Sequence, residues 1–230
     1  MSSITKIYKS KFKEILLPYS FKLYRKTFYR VINDVVQIIM LNNWGRAYTV
    51  SVAIKPLLFG IKTLDISGED GLHELREGNF QTRSRQWDTE CEFTGKILPD
   101  EVISKMVDEM VFITVSKVLP AFERGCDLEK GWDEMYELFA PKRARYVNVR
   151  EDLEGLNHIN IYGCVLKHDY EGAIDITERM IAVGWPEHIF HLEQLKNKDA
   201  AFFDNLFAQR IAESLEYLSN PSKYKQNHYY

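Results

Sequence analysis

Four sets of side chains in this chain have the types and spacing that chemistry needs. His188 and His191 lie three residues apart on an expected helix, with Glu187 and Glu193 beside them. Neighbours at that spacing can share a metal ion, but a site needs a third ligand, and the HExxH arrangement does not occur. Surface histidines near a helix start are therefore the expectation. Cys91, Cys126 and Cys164 are far apart and contain no CxxC pair, so they point to neither a disulfide framework nor a zinc knuckle. Cys91 falls on the apolar side of an expected strand, where a thiol acts as a small hydrophobe. GxSxG, GxxxxGK[ST] and GxGxxG are all missing. No catalytic residue, metal or cofactor is expected.

The other two sets share one stretch. Asp88, Glu90 and Glu92 alternate along a strand-like run, and close carboxylates can raise one another's pKa. On a solvated face they would more simply discourage edge-to-edge pairing. In the same register, Arg83 and Arg85 fall on the face of Trp87, Cys91 and Phe93. Two guanidiniums on a core-facing side need carboxylate partners or an exposed pocket at the end of the sheet. Such a pocket, walled by Trp87 and aromatics such as Tyr48, would hold an anionic ligand or a partner's acidic side chain. The alternative is a bend near Ser84 that leaves both arginines in solvent.

The elements that must position these residues follow from periodicity. Ile4, Ile7, Tyr8, Phe12, Ile15 and Leu16 form one helical stripe, and Pro18 ends that helix. Strands are expected at Phe21–Tyr24, Thr27–Ile32, Val35–Leu41 and Tyr48–Ile54. Asn33-Asp34 is the hairpin turn between the second and third, and 42–46 the turn between the third and fourth. Val35–Leu41 is apolar on both faces and so reads as a central strand covered on two sides. Gly60, Gly68, Gly71 and Gly78 mark an irregular excursion, and a half-buried strand returns at 80–94. Pro99-Asp100-Glu101 opens a helix expected to stop at Pro120. Helices at Asp127–Phe139, Asp152–Lys167, Tyr170–Val183, Glu187–Lys196 and Ala200–Leu218 fill the second half, with Gly184 as the stop of the third and Phe203, Leu206, Phe207, Ile211 and Leu215 as the apolar stripe of the last. The fold class is α+β: an antiparallel meander packed against helices, then a helical C-terminal region. The expected division is a sheet domain over 1–141, a helical extension packed on it over 142–218, and a flexible tail over 219–230. Lys142, Arg143 and Arg145 mark the boundary.

Composition narrows the function classes. Hydrophobic content of 45% with 27% charged residues suits a globular core. No apolar run approaches the roughly 20 residues that span a bilayer, and the first residues lack a secretory leader's apolar stretch. The odd cysteine count favours a reducing, cytoplasmic setting. Residues 1–30 hold eight Lys or Arg against Glu14, a charge of +7, so the remaining residues carry −10 of the net −3. The basic opening interleaves aromatics, as nucleic-acid binders do, but a lysine-faced helix followed by outward-pointing strand cations explains it as well. Nucleic acid and membrane are not the expected partners, and nothing in the sequence sets an oligomeric state.

Two stretches resemble known families. The order of helix, Pro18-Tyr-Ser-Phe21-Lys22, Thr27-Phe28-Tyr29-Arg30, Asp34-Val35-Val36-Gln37, turn and Thr49-Val50-Ser51-Val52 resembles the bacterial domain-of-unknown-function family 4304. Val118-Leu119-Pro120-Ala121-Phe122 is similar to the Leu-Pro-Phe segment near which a helix of that family ends. The resemblance covers about residues 5–122 and implies a bacterial chain with a strand meander and a helical C-terminus; the family brings no activity. His168-Asp169-Tyr170-Glu171-Gly172-Ala173-Ile174 resembles the turn and second helix of a single tetratricopeptide hairpin, with His168 where such units usually have glycine. The expected function is a non-enzymatic interaction protein, of the accessory or immunity type, whose acidic excess complements a basic protein partner. The alternative is a protein for small anionic ligands or nucleotides, with an enzyme among its forms, built on Arg83, Arg85, Trp87 and Tyr48.

Overall fold

A computed structural model describes residues 3–44, 47–62, 64, 99–134 and 158–223. Helix α1 (Ser3–Leu16) buries Ile4, Tyr8, Phe12 and Leu16 and exposes Lys6 and Lys13, as its stripe requires. A 3-10 turn at Leu17–Tyr19, holding Pro18, closes it, and Ser20 at φ 65 redirects the chain into the sheet. Strands β1 (Lys22–Tyr24), β2 (Thr27–Ile32), β3 (Val35–Trp44) and β4 (Ala47–Pro56) pair antiparallel in chain order. Asn33 and Asp34 both take positive φ, 44 and 64, which matches the twist of a two-residue hairpin. The third strand outruns its expected end. Asn42, Asn43 and Trp44 pair with Thr49, Tyr48 and Ala47. Continued ladder pairing outweighs the poor strand propensity of two asparagines.

The central strand is covered on both sides. Val35, Ile39 and Leu41 join Val50, Val52 and Ile54 of β4 in a core under α1 and α2 (Asp100–Ile113). Val36, Ile38 and Met40 join Ala53 and Leu57 in a second core on the opposite face. Each such side chain contributes roughly 1.5–3 kcal/mol when removed from water, so both covers are required.

Pro120 does not terminate its helix. After α2 the chain makes a π turn at Thr114–Val118 and continues as α3 (Leu119–Arg124), with Pro120 in the first turn of α3. In a regular α-helix the Pro120 ring would meet the carbonyl four residues back; the wider turn avoids that clash. The Thr114 and Ser116 hydroxyls also bond back along the same helix, donating to the carbonyls of Met110 and Phe112 at 2.8 and 2.7 Å.

Residues 128–134 are helical, and α4 (His158–Leu166), α5 (Tyr170–Ala182), α6 (Leu192–Lys196) and α7 (Ala200–Ser219) follow. Three of these helices begin alike. Asp127, Asp169 and Asp199 accept the backbone N–H of Lys130, Gly172 and Phe202 at 2.9, 2.9 and 3.0 Å. Over the described residues α4 and α5 form the expected hairpin, with Ala173, Thr177 and Met180 buried; residues 135–139 and 152–157 of the expected helices lie outside the described residues. The single helix expected over Glu187–Lys196 is instead a 3-10 turn (Glu187–Ile189) and α6, separated by His191 at φ 56.

The last helix also departs from its expected stripe. Its first half packs Phe203 and Phe207 into the hairpin core. Its second half turns Tyr217 and Leu218 onto the sheet, while Leu215, expected inside, is 40% exposed. Ser214 ties the junction, donating to the Leu57 carbonyl and accepting the Ile61 N–H at 2.8 and 2.7 Å. The C-terminal region thus supplies the sheet's second cover. Among the described residues no helix is long and apolar enough to cross a membrane. The 80–94 strand, the Lys142–Arg145 connector and the tail beyond 223 lie outside the described residues.

One close approach makes a sharp test. A Cβ on Gly163 of α4 would strike the indole of Trp132. Gly163→Ala should therefore destabilise the protein by about 1–3 kcal/mol despite alanine's better helix propensity. Chemical denaturation checks this; an unchanged or raised midpoint would contradict the packing.

Candidate functional site

Of the residues singled out by sequence, Arg83, Arg85 and Trp87 lie outside the described residues, as do Asp88, Glu90, Cys91 and Glu92; for Tyr48 only the backbone is described, in β4. His188 and His191 do not share a helix. The His191 ring packs edge-on against Phe202 and Phe203, at 5.0 and 6.5 Å between centroids. Burial, helped by the nearby Arg210 cation, lowers its pKa from the ordinary 6.5. Among the described residues no three His, Cys, Asp or Glu side chains converge to hold a metal. Cys164 is half-buried, and burial pushes its thiol pKa up, away from a reactive thiolate.

Among the described residues, a connected buried polar network lies at one end of the sheet. Arg30 on β2, only 9% exposed, stands directly across from Gln37 on β3. Its Nε donates to Gln37 Oε1 at 2.7 Å, and its terminal nitrogens donate to the Tyr19 carbonyl at 3.2 Å and to Glu123 Oε1 at 2.6 Å. The guanidinium also lies 5.0 Å over the Phe21 ring. Gln37 Nε2 in turn donates to the carbonyls of Phe122 and Gly125, at 2.6 and 3.3 Å. A buried cation and a buried amide thereby satisfy each other and the end of α3. The network clamps the C-terminus of α3 to the sheet and sets where the following residues project.

Those residues line two adjoining open clefts. One, of about 480 Å³, is formed by Glu123, Arg124, Cys126, Lys130, Asp133 and Glu134. The other, of about 650 Å³, is formed by the Asn33-Asp34 hairpin turn, Asp127, Leu128, Glu129, Lys130 and Leu166. Together they present six carboxylates and two cations. Arg124 pairs with Glu134 at 2.5 Å and Lys130 with Asp127 at 2.8 Å; Glu123 and Asp133 are met from outside the lining by Arg30 and Lys167. Asp34 and Glu129 form no salt bridge among the described residues. Hydrogen bonds from the Lys130 side chain and backbone hold the Asp127 carboxyl below its usual pKa, so it stays charged. An open surface of this kind attracts cationic groups; its carboxylates are spread over both clefts and do not focus on one reacting atom.

Sequence reasoning passed over these clefts. Their signal was present: Glu123, Asp127, Glu129, Asp133 and Glu134 crowd twelve residues. Only the fold brings Asp34 beside them. No family model matches the chain, and no curated protein or solved structure matches it either.

Two expectations follow. Gln37→Ala should cost about 2–4 kcal/mol, because it leaves Arg30 and two buried carbonyls short of partners, whereas Glu123→Gln, at a 56% exposed side chain, should cost at most ~1 kcal/mol. Equal losses in denaturant titrations would contradict the network. Second, the neutral form of His191 is favoured in the folded state, so the unfolded chain takes up the proton first as pH falls. Its contribution should be complete above pH 6.5 and should be lost below it, down to the lowered folded pKa. His191→Asn, which tolerates the positive φ, should flatten the stability profile between pH 7 and 5; an unaltered slope would contradict this.

Proposed function

We propose that this chain is a non-enzymatic interaction protein, of the accessory or immunity type, that binds a basic protein partner. The observation that supports it is the net acidity of the adjoining clefts at the end of α3: six carboxylates meet four cations, Arg30, Arg124, Lys130 and Lys167, and Asp34 and Glu129 form no salt bridge among the described residues. A net acidic surface that is open to solvent speeds encounter with an oppositely charged partner and disfavours nucleic acid. Placement by the fold supports the same reading: the Arg30–Gln37 clamp and the Asp127 cap hold the acidic segment through bonds within the chain. A cytoplasmic setting belongs to this proposal. So does the relationship to family 4304, which the order of α1, the β1–β4 meander and a helix passing through Leu119-Pro120-Ala121-Phe122 supports.

A peptide of alternating leucine and arginine serves as probe, with leucine–serine and leucine–glutamate peptides as controls. Titration calorimetry should show binding of the arginine peptide only. The variant Asp34→Lys/Glu129→Lys/Asp133→Lys should weaken it by about tenfold or more, and added salt should weaken it further. Equal affinity for the serine peptide, or no effect of the triple variant, would refute the reading. Thermal stabilisation by anionic metabolites that Arg83→Ala/Arg85→Ala abolishes would instead favour the anionic-ligand alternative.

A further inference from the structure

Helix α5 ends in an arrangement that displays a tryptophan. Gly184, at φ +102, donates its N–H to the Ile181 carbonyl at 2.9 Å, and Trp185 donates its own to the Met180 carbonyl at 3.1 Å. This pair of reversed bonds is the Schellman closure, which only a residue at ease with positive φ completes without strain. Pro186 then holds φ at −65, and the 3-10 turn beyond it is closed by Ile189 N–H to the Pro186 carbonyl and Phe190 N–H to the Glu187 carbonyl, at 3.2 and 3.1 Å. The Trp185 ring is braced against the buried Phe190 ring at 6.2 Å. Even so it is 52% exposed, flanked by Val183 at 50% and Ile189 at 41%. Three large apolar side chains are thus held in water on a backbone that is already fixed.

The charges around the turn say what it would accept. In the helices before and after it, Arg179 pairs with Asp175 and Lys196 with Glu178, while Arg210, whose cation reaches His191, lies over the Tyr162 ring. Glu187 and Glu193 are exposed and form no salt bridge among the described residues. An apolar anchor with an acidic border complements an apolar side chain bordered by arginine or lysine. Exposed indole faces also attract guanidinium groups. Because the turn is pre-ordered, contact there loses little conformational entropy, the property shared by tryptophan hot spots.

We propose that the Val183–Ile189 turn is a second docking point for the basic protein partner, with Trp185 as its apolar anchor and Glu187 as the acceptor of the partner's arginine. This rests on the proposed function and adds a site distant in sequence from the acidic clefts. The test uses the full chain and the same leucine–arginine peptide. In ¹⁵N-labelled protein, the Trp185 indole resonance, assigned by its loss in Trp185→Phe, should shift on titration. Trp185→Ala should weaken the peptide by about tenfold and Trp185→Phe by less. An unmoved indole resonance, or full affinity in Trp185→Ala, would overturn the docking point. If the cleft variant alone loses affinity, the proposed function stands and this inference falls. A wild-type chain that does not bind the arginine peptide overturns both.

Discussion

A central strand that is apolar on both faces governs this fold. Val35, Ile39 and Leu41 point one way and Val36, Ile38 and Met40 the other, and every one is buried. A sheet with such a strand is stable only between two covers. The first comes from α1 and α2. The second comes from the far end of the chain, where Tyr217 and Leu218 of α7 close over the sheet and the Tyr29 hydroxyl donates to the Leu218 carbonyl at 3.2 Å. The helical C-terminal region is consequently part of the sheet's core as well as the holder of its own. That dual duty explains why the buried face of α7 shifts along its length.

Within the first cover, polar groups do what apolar ones cannot. Gln37 sits on the same face as Val35 and Ile39, at 0% exposure, yet it carries an amide. An unsatisfied amide there would cost a large part of a domain's net stability. Arg30 and the carbonyls of Phe122 and Gly125 satisfy it, and their directionality fixes the angle at which the chain leaves α3. Hydrophobic contacts alone tolerate sliding; this arrangement of donors and acceptors has one register. The clefts that follow inherit their geometry from it.

Charge is distributed to match. The basic opening is partly consumed inside the molecule, since Arg30 meets Glu123 and Lys11 meets Asp108 at 2.5 Å. The acidic excess survives on the segments that follow, at the clefts and around the Trp185 turn. Both surfaces sit on capped, closed backbone rather than on open loops, which is the condition for charge and shape to act together in recognition.

Local chemistry was legible from sequence wherever a residue's own backbone preference decided the outcome. The α1 stripe, the left-handed Asn33-Asp34 turn, the Pro99-Asp100-Glu101 helix start and the Gly184 stop all appear where composition and spacing put them. The α+β class followed from the same signals. What sequence could not decide were matters of balance between distant groups. Pro120 reads as a terminator, but packing on both sides of it, with Val118, Leu119, Ala121 and Phe122 buried, favours a π turn over a stop. Asn42 and Asn43 read as a turn, but the ladder with β4 extends through them. Leu215 reads as core, but the handover of α7 from hairpin to sheet turns it outward. The acidic clefts exist only because the Arg30–Gln37 clamp carries Glu123 and its followers beside Asp34, some ninety residues away in sequence. Periodicity reports what a segment can bury; which partner it buries against is set by tertiary contact, and that contact made the site.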